Sequence, residues 1–211
     1  MLKILAAIPA LTLGVTAAAL LMAQAPAKGP AFAPVAPKAV PFSPRKADEF
    51  VVHTPGGADK LLSSYQGKVV VLAFMYTTCS HCQHTAGVLA KIQTAYAGKD
   101  VQILGVTFDP DAKTAVASFI KMFGVNFPCG WSTPDQVKKF LHIGPNVDYF
   151  VPMLAFLDRN GTIRSQYIVT DVDSAAEGFL DEQETTIPKE IDKLLKIPPA
   201  AVTTAKQAPK S

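Results

Sequence analysis

The sequence predicts an α/β domain, a central mixed sheet flanked by helices. Two unbroken apolar and β-branched runs, "KVVVLAF" at 68–74 and "VQILGVTF" at 101–108, suit strands buried on both faces, as in a parallel sheet. Each is followed by a stretch with helical spacing. Further on, "VPMLAFLDRNGTIRSQYIV" has the pattern of strand, tight turn, strand, with Asn160-Gly161 as a turn whose two central positions take positive φ. Alternating βα units and then a hairpin give a parallel sheet with antiparallel strands at one side.

Taken in chain order, "MLK" is a short positive start, and Ile4 to Met22 is an apolar run rich in Ala and Leu. Small residues at Ala25 and Ala27 form a cleavage site, so residues 1–27 are expected to be a signal peptide or an N-terminal membrane anchor. Either way the remainder is exported, periplasmic or otherwise extracytoplasmic, where disulfides persist. Residues 28–46 are dense in Pro and Ala and are expected to be a linker. One domain spans 47–197, and 198–211 is expected to be a disordered tail.

Within the domain, "EFVVHTPGG" is a short strand and turn. After the first long strand, Val88, Leu89, Ile92 and Tyr96 share a helix face, and Gly98 stops that helix. Asp109-Pro110-Asp111 opens the next helix, whose inner face is Val116, Phe119, Ile120 and Phe123, with Gly124 as its stop. A short segment "NFPCGW" precedes Ser132-Thr133-Pro134, an N-cap signal for a third helix carrying Val137, Phe140 and Leu141. Ile187, Ile191, Leu194 and Leu195 mark a last amphipathic helix.

Composition narrows the function. Of 211 residues nearly half are apolar, and the net charge of +3 comes with no run of five or six basic side chains. No basic stripe for nucleic acid is present. Three cysteines are too few for a disulfide scaffold, so their spacing must carry the meaning.

Cys79 and Cys82 lie where the first long strand hands over to its helix. Unpaired N–H groups and the helix dipole at that point stabilise an anion, and the thiolate is the nucleophile in disulfide exchange. Cys82 is almost one turn further on the same face. Cys79 can attack a disulfide and Cys82 can resolve the mixed disulfide that forms. Other readings of the pair stay open or fall. Two inert core cysteines remain an alternative. A c-type haem needs His after the second cysteine, and Gln83 stands there. A structural zinc needs four ligands, and Cys79, Cys82 and His84 offer three. Cu(I) held by the two cysteines and a histidine, as in a metallochaperone, stays as an alternative. So does a peroxiredoxin-like peroxidase, although that family has Thr three residues before its reactive cysteine and this chain has Tyr76.

With "KVVVLAFMYTTCSHC", "VQILGVTFD" and "VPMLAFLDRNGTIR" in this order, residues 47–197 resemble the exported thioredoxin-like thiol–disulfide oxidoreductases of the TlpA/ResA type. The resemblance implies a thioredoxin fold with an inserted βα element. It also implies a cis-proline facing the cysteines, here Pro152, with the backbone of Val151 lining a substrate groove. The redox-active disulfide Cys79–Cys82 would be the working group, with no metal or other cofactor. Client protein thiols and disulfides would be the partners, together with a membrane redox partner as electron donor. Three positions depart from the pattern. Ala73 stands where thioredoxin has a buried Asp that relays a proton to the second cysteine. Thr78 replaces the usual tryptophan before the first cysteine, which changes the recognition surface. Ser80-His81 fills the motif, and a histidine there belongs to oxidising members, where it stabilises the reactive thiolate. His81 is therefore expected to tune Cys79, and the direction of electron flow stays open.

The other residues carry less. Cys129 is expected to be a buried apolar thiol. His84, one turn past Ser80, is expected to face solvent or a helix-surface neighbour, His53 and His142 have no partner visible in sequence, and Trp131 is expected at the domain edge. Asp158, Asn160 and Gly161 resemble part of a calcium loop, but the closing position is Val169 rather than Glu. The acidic stretch 171–184 is expected to be a solvated connector or a docking surface.

Overall fold

The computed structural model describes residues 42–170 and 182–200. The expected signal peptide or anchor, most of the linker and most of the acidic connector lie outside the described residues. No helix among the described residues is long and apolar enough to cross a membrane.

The strands are β1 (Arg45–Lys46), β2 (Val51–Val52), β3 (Lys60–Leu61), β4 (Val69–Met75), β5 (Val101–Thr107), β6 (Cys129–Trp131), β7 (Phe150–Leu157) and β8 (Thr162–Val169). The helices are α1 (Ser80–Ala95), α2 (Ala112–Met122), α3 (Pro134–Leu141) and α4 (Gln183–Leu195). Six strands form one sheet in the order β1-β8-β7-β4-β5-β6, while β2 and β3 form a separate hairpin. The β4–β5 and β5–β6 pairs are parallel, and the others in the large sheet are antiparallel. The mixed sheet and its flanking helices are the predicted fold class, with β6 and α3 inserted between the βαβ half and the hairpin–helix half.

Strand β4 explains the unbroken apolar run. All of its residues are buried because both faces are covered. Val69, Val71, Ala73 and Met75 join a core with α1, α2 and α4. Val70, Leu72 and Phe74 point the other way, to a core with Val137, Phe140 and Leu141 of α3 and with Phe50 and Val52. That split is the two-residue period of a strand. Phe74 sits between Phe50 and Phe140, with ring centroids 5.6 and 5.9 Å away. Burying each such side chain contributes about 1.5–3 kcal/mol.

Arg45 and Lys46, expected at the end of the linker, pair with Ile163 and Thr162 as the edge strand β1. On the opposite edge His53 makes an antiparallel bridge to Trp131, with N–H···O distances of 3.0 and 2.8 Å. Gly130 permits this approach, since a Cβ there would lie 2.2 Å from the His53 carbonyl oxygen. His53 also pairs with Asp59 at 3.0 Å and stacks on the Trp131 ring at 4.7 Å. Neither contact was visible in the sequence.

Two local details differ from expectation. In the β7–β8 turn only Gly161 has positive φ, at 68°. The Gly161 N–H donates to the Asp158 carbonyl, so Arg159 and Asn160 are the central residues. The buried Asp158 carboxylate takes the N–H groups of Asn160 and Thr162, which fixes the loop in this form. The last helix carries Ile187, Ile191 and Leu194 buried as expected, but it begins at Gln183, inside the stretch expected to be a connector, with Pro188 within it.

Candidate active site

The site forms at the carboxyl end of β4, where Tyr76 to Thr78 lead into α1. Cys79 is the N-cap of α1, with extended backbone at φ −83° and ψ 121°, and its sulfur accepts the N–H of Cys82 at 3.3 Å. A sulfur thus stands where Ser, Thr or Asp usually caps a helix. The Cys79 thiol also donates to the carbonyl of Val151 at 3.6 Å. The Val151–Pro152 peptide bond is cis, and Pro152 is buried at the start of β7.

Cys82 is fully buried behind Cys79, and both thiols are free. Its sulfur accepts the backbone N–H of Tyr76 at 3.4 Å. Burial pushes the Cys82 thiol well above the ordinary range, and the contact with Cys79 adds to this. The Tyr76 N–H pulls the other way, and the charges of Cys79 and Asp109 push up again. The two sulfurs are therefore unlike: one half-exposed at a helix end, the other walled in.

Of the expected site residues, the structure brings together Cys79, Cys82, Val151 and Pro152. Thr78 and His81 are exposed. The His81 imidazole has no hydrogen-bond or ion-pair partner among the described residues; the His81 carbonyl accepts the Thr85 hydroxyl at 2.9 Å. Cys129 lies in β6 opposite Gly105, buried, with its thiol pushed up to about 12 by that burial. His142 caps the end of α3 with φ 57° and receives a hydrogen bond from Arg45 Nε at 3.2 Å. Among the described residues no group of three or more His, Cys, Asp or Glu side chains is arranged to hold a metal.

Sequence reasoning missed the support beneath the cysteines. Asp109, expected to open α2, is buried instead and turned toward Thr77. It accepts the Thr77 N–H at 2.9 Å and the Thr77 hydroxyl at 2.6 Å. Gln83 donates to the Thr77 carbonyl at 3.0 Å. Tyr76 meets Tyr149 hydroxyl to hydroxyl at 3.3 Å, and its ring packs on Phe108 at 4.7 Å. A signal for Asp109 did exist: it follows the carboxyl end of a buried parallel strand, the place where α/β sheets assemble their sites.

Comparison with known proteins agrees with this picture. Residues 44–166 match the model of the AhpC/TSA family. The thiol–disulfide oxidoreductase ResA of Bacillus thuringiensis (strain Al Hakam) is 26% identical over 136 residues, 64% of this chain and 75% of that protein. ResA of Bacillus subtilis (strain 168) is 32% identical over 99 residues, 47% of this chain and 55% of its own. In structure, a thiol:disulfide interchange protein of the thioredoxin family from Chlorobium tepidum TLS superposes with a TM-score of 0.57 at 17% identity. That likeness covers 74% of this chain and 99% of the other, and it shows the fold. The chain belongs to the AhpC/TSA family and, within the thioredoxin-like fold, is kin to the thiol–disulfide oxidoreductases of the ResA type.

Proposed function

We propose that this protein is an exported thiol–disulfide oxidoreductase that exchanges disulfides with client proteins through Cys79 and Cys82. One observation carries the reading. A half-exposed cysteine sulfur caps a helix and faces the carbonyl that precedes a cis-proline, with a second, buried sulfur one turn behind.

The Cys79 thiolate attacks one sulfur of a client disulfide. The client S–S bond breaks, a Cys79–client disulfide forms, and the departing sulfur leaves as a thiolate that takes a proton from water. Cys82 then gives up its proton and attacks the Cys79 sulfur. The second client sulfur departs, also to be protonated, and the Cys79–Cys82 disulfide remains. Two electrons have passed from the dithiol to the client, and the reverse sequence oxidises a client. Val151 and Pro152 line the groove in which the client backbone lies, Thr78 sits on its rim, and His81 tunes Cys79. The disulfide is the working group, and a membrane redox partner resets it.

The test is equilibration of the full chain with glutathione alongside an insulin-reduction assay. Formation of a Cys79–Cys82 disulfide supports the reading. A potential near about −270 mV marks a reductant and one near about −120 mV an oxidant. Tight stoichiometric Cu(I) binding without exchange activity overturns it in favour of a metallochaperone. Peroxide consumption that needs Cys79 and survives Cys82→Ala overturns it in favour of a peroxidase.

A further inference from the structure

The Tyr76–Thr77 peptide unit is held at both edges. Its carbonyl accepts the Cys79 N–H at 3.4 Å, while its N–H donates to Asp109 Oδ1 at 2.9 Å. The Thr77 hydroxyl takes the other carboxylate oxygen, and Gln83 takes the Thr77 carbonyl. Every polar group of Thr77 is thus engaged, and only 8% of that residue is exposed. The residue before it, Tyr76, sends its N–H to the Cys82 sulfur. Both cysteines therefore rest on a segment fixed by one carboxylate that arrives from the end of another strand.

We propose that Asp109 is a positioning residue for the resolving half of the exchange reaction. It fixes the Tyr76–Thr77 segment against both sulfurs, and it places a buried negative charge on the Cys82 side of the site. This rests on the exchange function proposed above.

Charge gives Asp109 a role that packing alone would not. The titratable groups that act on Cys82 are Cys79 and Asp109, and Tyr76, beside them, feels both Asp109 and Cys82. Once Cys79 is bound in a mixed disulfide its sulfur carries no charge. Asp109 is then the remaining anion acting on Cys82 among these groups. It opposes a second negative charge in a buried site, where Coulomb interactions are strong. Cys82 must lose its proton to attack, so Asp109 slows resolution and prolongs the mixed disulfide. A longer-lived mixed disulfide gives a client time to exchange its own thiol instead. The chain has Ala73 in the strand position where thioredoxin carries its acid, and here the acid comes from the far end of β5.

Asp109→Asn separates charge from geometry, because the amide oxygen can still accept the Thr77 N–H and the amide nitrogen can donate to the Thr77 hydroxyl. Reduced full-length protein is mixed with saturating oxidised glutathione and quenched in acid. Mass spectrometry then follows conversion of the Cys79–glutathione adduct to the internal disulfide. Asp109→Asn is expected to speed this step about twofold at neutral pH, because loss of the nearby charge raises the thiolate fraction while the less basic sulfur is a weaker nucleophile. The rise of the resolving rate with pH should move toward lower pH. Thr77→Val keeps the charge and should give no such acceleration. An unchanged resolving rate in Asp109→Asn, or equal acceleration in Thr77→Val, overturns the proposal. Asp109→Ser is the second neutral variant, and failure of both neutral variants to fold marks Asp109 as scaffold and also overturns it. If the wild-type protein forms no internal disulfide at all, the proposed function itself has failed.

Discussion

The backbone N–H of Tyr76 is bonded to the sulfur of Cys82 at 3.4 Å, so the inner cysteine is held by the first residue after β4. The outer cysteine has no such wall around it. Alkylation of the reduced native protein should therefore modify Cys79 first, with Cys82 and Cys129 untouched at neutral pH. Peptide mapping checks the order. Cys79→Ser should abolish exchange, while Cys82→Ser should accumulate a client adduct on Cys79.

Alkali should weaken the fold through its buried thiols. The Cys129 thiol is raised from 9.0 to about 12 in the folded protein, and Cys82 is raised as well. Below pH 9 both folded and unfolded thiols keep their protons, and the preference for burying the neutral form is fully present. Between pH 9 and 12 only the unfolded chain releases the proton, so stability falls, by up to about 1.4 kcal/mol per pH unit for each such group. Denaturation curves at several pH values should show a shallower decline in Cys129→Ala.

Gly130→Ala should detach the β2–β3 hairpin from the sheet edge. The new Cβ would meet the backbone of His53, which cannot swing aside as a side chain can. Forced overpacking costs about 1–3 kcal/mol. Trp131 is the sole tryptophan and stacks on His53, so its fluorescence reports the separation directly.

Asp158→Ala should loosen the β7–β8 turn. The carboxylate is fully buried and accepts two backbone N–H groups and Arg164 Nε, the last at 2.7 Å. Removing it leaves those donors unmatched, at a cost of about 2–3 kcal/mol. Because the turn lies away from Cys79, chemical denaturation should shift while exchange activity persists.

Much of the architecture could be read from residue patterns because both faces of β4 are covered. A strand in that setting must be apolar throughout, and Val69 to Met75 announce it. The Cys79–Cys82 spacing was equally legible, since one helical turn fixes how the two sulfurs relate. Asp109 was not. Asp-Pro-Asp also suits a helix start, and although its place after a buried parallel strand puts Asp109 near the site, nothing in the sequence ties it to a threonine 32 residues away. The turn at Asn160-Gly161 was misread for a related reason. A buried Asp158 carboxylate outweighed the local preference of the Asn-Gly pair. The His53–Trp131 pairing escaped because a single bridge has no periodicity.

Both margins of the large sheet are finished by residues that precede β4 in the chain: Arg45 and Lys46 on one side, His53 on the other. Their partners, Ile163 and Trp131, are synthesised long afterwards. Wherever the chain folds, this early segment waits unpaired: the His53 clasp needs the chain through Trp131, and the Arg45–Lys46 clasp needs it through Ile163. Until then the bare margins can recruit a foreign strand, so the window before closure is when this protein is most exposed to aggregation.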